Sequence, residues 1–240
     1  PGGFGTKALP QLSQASLEAV RDVYKAEIPH YFRHLYDKGD RSVAPRVEYA
    51  SGLGTDDPRC VVSIIGCTGD WTGGWDNTTP VGADAFITPD LQAGRLVDII
   101  GRGEPALMVA HWTGIYWNGQ ELGFNIFKEV TRRLSSRFDH LLWMKLSEVA
   151  RYWAARELTA MARTPGRIEF QAPFACPDFT IRFERPVAGG IRIQAGPERT
   201  VLREVQGPLK LAGPTWTADG GRVTACFPLP KGRSVLDFGG

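Results

Sequence analysis

The sequence predicts an α/β domain with parallel strands over residues 1–163, followed by a small antiparallel β-sandwich over residues 164–240. Three observations predict it. Before residue 163, short apolar runs alternate with helical patterns, which is the spacing of βα units. One of these runs, residues 60–66, is apolar apart from Ser63, as in a strand covered on both faces. After Thr164-Pro165-Gly166 the helical period disappears, and residues 168–170, 179–185 and 191–195 alternate apolar with polar, the pattern of an antiparallel sandwich.

Taken in order, residues 1–15 are rich in Gly and Pro and read as a loop. Ser16 is placed to cap a helix carrying Leu17, Val20, Tyr24 and Ile28. Pro29 interrupts it. A second helical piece, with Phe32, Leu35 and Tyr36, stops at Gly39. Residues 47–49 form a short strand candidate and 60–66 a stronger one. The latter runs into a loop, 67–80, holding three glycines with Asp70, Trp71, Trp75, Asp76 and Asn77. Thr88-Pro89-Asp90 reads as a helix start, with a hydroxyl cap, proline at the first position and an acid in the first turn. That helix carries Leu91, Leu96 and Ile99. The apolar run 105–110 predicts a buried strand ending at His111. Gly123 begins a helix with Phe124, Phe127, Val130 and Leu134, residues 141–146 a strand, and Ser147 a helix with Ala150, Ala154, Leu158 and Met161 on one face. Beyond 164, residues 201–205, 223–227 and 235–238 are further strand candidates.

Composition narrows the function classes. The 240 residues are 42% hydrophobic and 22% charged, which is ordinary for a globular chain. The formal net charge of +2 gives no electrostatic case for nucleic acid or an anionic membrane. No apolar run approaches the roughly 20 residues that span a bilayer. Cys60, Cys67, Cys176 and Cys226 show no CxxC pair and no metal-finger spacing. Separate buried thiols are the favoured reading. A disulfide within each neighbouring pair stays open if the protein is secreted or periplasmic. Oligomeric state is not legible.

Chemistry concentrates at the end of the 105–110 run. His111 stands where an α/β sheet places its reactive groups, at the carboxyl edge of a strand, and suits general acid–base work. Trp112, Tyr116 and Trp117 follow within six residues, and aromatic faces pack against sugar rings. If strands 60–66 and 105–110 are parallel neighbours, the 67–80 loop faces the same cleft. Asp70 then orients the histidine, and Trp71 and Trp75 line a sugar subsite. The glycines of residues 1–5 let backbone approach a ligand closely, which places Phe4 among the substrate contacts. His30 and His34 have the spacing of a helical zinc pair, but the residues between them include no glutamate and a surface or core role is favoured. Trp143 reads as core. No Gly-x-Ser-x-Gly elbow or dinucleotide fingerprint is present.

The order of these features resembles the carboxy-terminal part of a polysaccharide deacetylase-like (NodB-type) domain. A Pro/Gly/aromatic loop at residues 1–5 precedes a helix. A strand then feeds the Asp70-Trp71 loop, a later apolar strand ends in His111, and a last strand leads into Ser147-Glu148. The resemblance covers about two thirds of the chain. It implies a (β/α) barrel-like catalytic domain of parallel strands over residues 1–163, its amino-terminal part upstream, with the β-sandwich as an accessory domain. It also implies a divalent metal, zinc, held by ligands outside these 240 residues, and hydrolysis of an N-acetyl group from a glycan with His111 as general acid. The expected function is a carbohydrate-active hydrolase, with His111 and Asp70 catalytic and Trp71, Trp75, Trp112, Tyr116 and Phe4 on the substrate. The alternatives are a glycoside hydrolase with paired carboxylates, Asp70 or Asp76 among them, and a non-catalytic glycan-binding module.

Overall fold

The structure is a computed structural model and describes residues 8–34, 42–69, 71–72, 81–184 and 189–239. Helix α1 (Leu9–Ser16) continues into a π-helical stretch, Leu17–Val23. Ser16 lies inside this run rather than capping a helix. Its hydroxyl donates to the Leu12 carbonyl at 2.8 Å, four residues back. Strand β1 (His30–His34) occupies the segment expected to be helical. The helical backbone already ends at Val23, with Lys25 at φ 58°, and the Pro29 carbonyl accepts the Val62 N–H at 3.0 Å as the chain enters the sheet. With β2 (Arg46–Ser51) and β3 (Arg59–Gly66) it forms a three-stranded sheet of order β1-β3-β2. The continuous apolar run is the central strand, buried from Cys60 to Gly66.

Helices α2 (Arg95–Gly101), α3 (Trp112–Tyr116), α4 (Leu122–Arg137) and α5 (Leu146–Leu158) follow. Thr88-Pro89-Asp90 does not start α2. Thr88 N–H donates to the Ala93 carbonyl at 2.8 Å and closes a turn, and Leu91 and Gly94 take φ of 65° and 121°. Gly94 is required there, because a Cβ would sit 2.5 Å from the Phe86 carbonyl carbon. Helix α5 starts at Leu146, one residue before Ser147. The Lys145 N–H donates to the Glu148 carboxylate at 2.7 Å, which fixes its first turn.

The sheets that follow are built from β4 (Ala160–Thr164), β5 (Arg167–Ala172), β6 (Cys176–Glu184), β7 (Arg192–Ala195), β8 (Glu198–Val201), β9 (Arg203–Glu204), β10 (Thr215–Asp219), β11 (Arg222–Leu229) and β12 (Gly232–Asp237). One sheet has order β4-β5-β12-β7-β8, the other β6-β11-β10-β9. Their inward residues share one core. Phe170 packs against Phe179 and Phe227 with ring centroids 6.1 and 5.7 Å apart. The run 201–205 crosses between sheets at buried Leu202, whose N–H donates to Ile191 at 2.8 Å. Met161, expected on a helix face, lies on β4 and is exposed.

The chain divides into two units. One comprises Pro1–Ser16, His30–Arg46 and Ser63–Met144; the other comprises Leu17–Pro29, Val47–Val62 and Lys145–Gly240. The first is built on a cluster that includes Ile65, Trp71, Phe86, Leu96, Ile99, Val130 and Leu134. The second is built on the core between the two larger sheets.

The α/β, (β/α) barrel-like domain with parallel strands is not what residues 1–163 form. Among the described residues there are three sheets, mostly antiparallel, and no closed barrel. Within the two larger sheets every pair is antiparallel except β9–β10, which is parallel. The expected strands at 105–110 and 141–146 are absent, apart from an isolated bridge at Val109. The backbone of 107–109 bonds instead to the loop after β3. Cys67 N–H donates to Leu107 at 3.0 Å, and Val109 N–H donates to the Thr68 hydroxyl at 2.9 Å. Without a strand at 105–110 the expected βα repeat after β3 is not formed.

All four cysteines are free and buried. On paired β6 and β11, Cys226 stands opposite Thr180 and Cys176 opposite Leu229. This offset, four residues on β6 and three on β11, is about 10–13 Å along a strand and beyond the reach of a disulfide. Cys60 and Cys67 lie at the two ends of β3, about 23 Å apart at strand rise. No helix among the described residues is long and apolar enough to cross a membrane.

Candidate functional site

The loop leaving β3 and the segment around His111 do adjoin, through hydrogen bonds rather than through a parallel sheet. Trp71 N–H donates to the Val109 carbonyl at 3.4 Å, and the Thr72 hydroxyl to the His111 carbonyl at 3.3 Å. His111 is half-buried, in extended backbone (φ −93°, ψ 135°), and directly precedes α3. Its carbonyl also accepts the Gly114 N–H at 3.0 Å, closing the first turn.

Helix α3 presents two exposed rings. Trp112 is 73% exposed and Tyr116 59%. Four residues apart on a helix, they occupy the same face. The helix is held close to α4 by glycine. A Cβ on Gly123 would lie 2.7 Å from the Gly114 carbonyl oxygen and 2.9 Å from Ile115 Cα. Beyond Tyr116 the chain turns through three non-glycine residues in the left-handed region: Trp117 (φ 43°), Asn118 (φ 54°) and Glu121 (φ 54°). Such backbone costs on the order of 1–3 kcal/mol per residue and concentrates where a structure holds a functional surface. Bonds from Gly119 and Glu121 to the Tyr116 carbonyl, at 3.0 and 2.8 Å, hold the turn.

Trp71 has a different place from the one expected. It is 3% exposed, stacks on Phe127 at 6.5 Å and meets Phe86 edge-on at 6.0 Å. Its ring supports the core and does not open to a saccharide. Phe4, Asp70, Trp75 and Asp76 lie outside the described residues. His30 and His34 sit four apart on strand β1 rather than on a helix. Among the described residues no group of three or more His, Cys, Asp or Glu could hold a metal.

The sequence also hid some exposed apolar residues. Trp143, read as core, is 72% exposed, and Leu142 and Met144 flank it in the open. An unbroken apolar run looks buried whatever its fate, so the sequence carried no signal for this. Phe124 and Phe127 on α4 are each partly open, with the Lys128 ammonium 4.7 Å over the Phe124 ring. Cys67, beside the His111 segment, is no nucleophile. Burial pushes its thiol up to about 11.

Comparison with protein-family models, with curated proteins and with solved structures finds no match to this chain.

Proposed function

We propose that this chain binds a glycan through the ring pair Trp112 and Tyr116, with His111 at the edge of the contact. The observation that carries this reading is the exposure of two large rings on one face of a five-residue helix. Trp and Tyr offer an apolar ring with a polar handle, and flat rings suit the apolar faces of pyranose sugars. The turn residues after the helix and the glycine contact beneath it fix the backbone that carries both rings. The test is titration with N-acetylchito-oligosaccharides and cello-oligosaccharides, read by calorimetry and tryptophan fluorescence. Trp112→Ala and Tyr116→Ala should each weaken binding at least tenfold, about 1.4 kcal/mol. Equal affinity in wild type and both variants, or no binding to any saccharide, refutes the reading.

A second reading is hydrolysis of an acyl group from the bound glycan. The position of His111, directly before Trp112, favours it. The imidazole would protonate the leaving group as the tetrahedral intermediate collapses. Acetate release from acetylated oligosaccharides, with and without chelator, measures it. Unchanged turnover in His111→Ala removes His111 from that role.

A further inference from the structure

The outer face of the five-stranded sheet concentrates positive charge that the net charge of +2 conceals. Residues directly opposite one another on antiparallel strands share a face, so the register defines this surface. Asp237 stands between Arg167 and Arg192, Val235 between Glu169 and Gln194, and Arg233 beside Gln171. Across the next pair, Gln194 faces Arg199 and Arg192 faces Val201. On the remaining edge strand, Ala162 opposite Glu169 and Thr164 opposite Arg167 add no charge. Four arginines against two carboxylates leave an excess of two positive charges on one surface. The opposite faces of these strands point into the core, with Ile168, Phe170, Ile193 and Leu236 buried.

The arginines are held in place. Arg233 and Arg167 grip the two oxygens of Glu169 at 2.9 and 3.0 Å, and Arg192 reaches Asp237 at 3.8 Å. Each guanidinium carries five N–H donors in a planar fork, so a single carboxylate contact leaves donors directed elsewhere. Arg233 keeps 68% of its side chain in solvent despite the contact. A shallow cavity of about 560 Å³ opens here, lined by Arg167, Gln194, Gly196, Arg233, Val235 and Asp237 together with the buried Ser234. Two pre-oriented guanidiniums and a side-chain amide around one hollow suit an anionic oxygen group, because charge-assisted and bidentate contacts to arginine are the strong ones.

We infer that this face binds an acidic polysaccharide, a chain of sugars carrying sulfate or carboxylate groups. Charge complementarity selects the anion. The absence of any aromatic side chain among the registered residues of this face removes the stacking platform that single-stranded nucleic acid uses. The interspersed Glu169 and Asp237 suit a chain whose charges are spaced by neutral sugar rather than a dense phosphate backbone. The surface is independent of Trp112 and Tyr116, so its failure leaves the neutral-glycan reading standing, and the reverse holds too.

The experiment uses the full chain with heparin oligosaccharide, polygalacturonate, neutral dextran and a thymidine oligonucleotide as probes, at 50 and 200 mM salt. Binding to one acidic polysaccharide, weakened by salt, is expected, with none to dextran. Arg167→Gln combined with Arg233→Gln should weaken it at least tenfold. Arg182→Gln combined with Arg222→Gln removes the same charge from the other sheet and should change it less than twofold. The inference is overturned if neither acidic polysaccharide binds, if both double variants weaken binding equally, or if the oligonucleotide binds at least as tightly.

Discussion

Replacing Gly123 by alanine tests the geometry that holds the exposed rings. Gly123 is buried near the start of α4. An added Cβ would approach the Gly114 carbonyl oxygen to 2.7 Å, Ile115 Cα to 2.9 Å and Thr72 Cγ2 to 2.9 Å. The first two are backbone atoms of α3 and cannot rotate aside. Restoring an ordinary contact of 3.4 Å requires α3 to move by about 0.7 Å. Overpacking of this kind costs about 1–3 kcal/mol. Alanine returns up to about 1 kcal/mol through its higher helix propensity. With the full return the expected net loss is about 0–2 kcal/mol, with the backbone clash placing it toward the upper end, seen as a lower urea midpoint with an unchanged slope. Because the displaced helix carries Trp112 and Tyr116, saccharide affinity should fall with stability. Gly101→Ala is the control. It ends α2 with nothing within 4 Å of its added Cβ, so its midpoint should equal or slightly exceed that of wild type. If Gly123→Ala is as stable as Gly101→Ala, α3 and α4 are not in the contact described, and the rigid ring pair loses its support.

Two further outcomes are expected. Arg132, then Arg133, hold the Glu129 carboxyl down to about 2, from an ordinary value of 4.5. A carboxyl depressed on folding adds stability above its unfolded value, and that stability is lost as pH falls through the folded value. Glu129→Gln should therefore be less stable than wild type at neutral pH, and the gap should close between pH 4.5 and 2. A gap that stays constant over that range refutes the pairing. Burial pushes Cys60 up to about 12, Cys67 and Cys176 up to about 11, and Cys226 upward as well. Iodoacetamide at pH 8 should label none of them in the native protein and all four in denaturant, counted by intact mass. One rapidly labelled native thiol would contradict the burial.

Legibility followed the source of each segment's hydrogen bonds. Where a segment's partners are supplied by a regular neighbour, its side-chain period reports its structure. The alternation at Ile168 and Phe170 appears in β5, and that at Val223, Ala225 and Phe227 in β11, because each strand has one face in a core and one in solvent. The continuous run in β3 is central and covered, as its composition required. Where partners come from irregular chain, the same signals mislead. The apolar stretch before His111 has strand-like composition, yet its backbone bonds to Cys67, Thr68 and Trp71. His30–His34 carries a helical spacing of histidines, but it is a strand, entered where the Pro29 carbonyl accepts the Val62 N–H.

The site divides along the same line. Trp112 and Tyr116 could be paired from sequence, since four residues on any helix share a face, and the helix is there. Trp71 could not be assigned, because a tryptophan beside glycines suits a sugar platform and a core equally. What decided it was Phe86 and Phe127, fifteen and fifty-six positions away, closing over its ring. The arginine face was illegible for a related reason. Arg167, Arg192, Arg199 and Arg233 are scattered over β5, β7, β8 and β12, and only the register of four strands brings them onto one surface. Local chemistry is legible when its residues share an element, and becomes illegible when tertiary pairing assembles it. The same rule makes the two proposed surfaces separable by experiment. Substitutions on α3 act within one short helix, whereas Arg167→Gln and Arg233→Gln act only through the pairing of β5 with β12. A variant that breaks that pairing should abolish acidic-polysaccharide binding while leaving all four arginines in the chain.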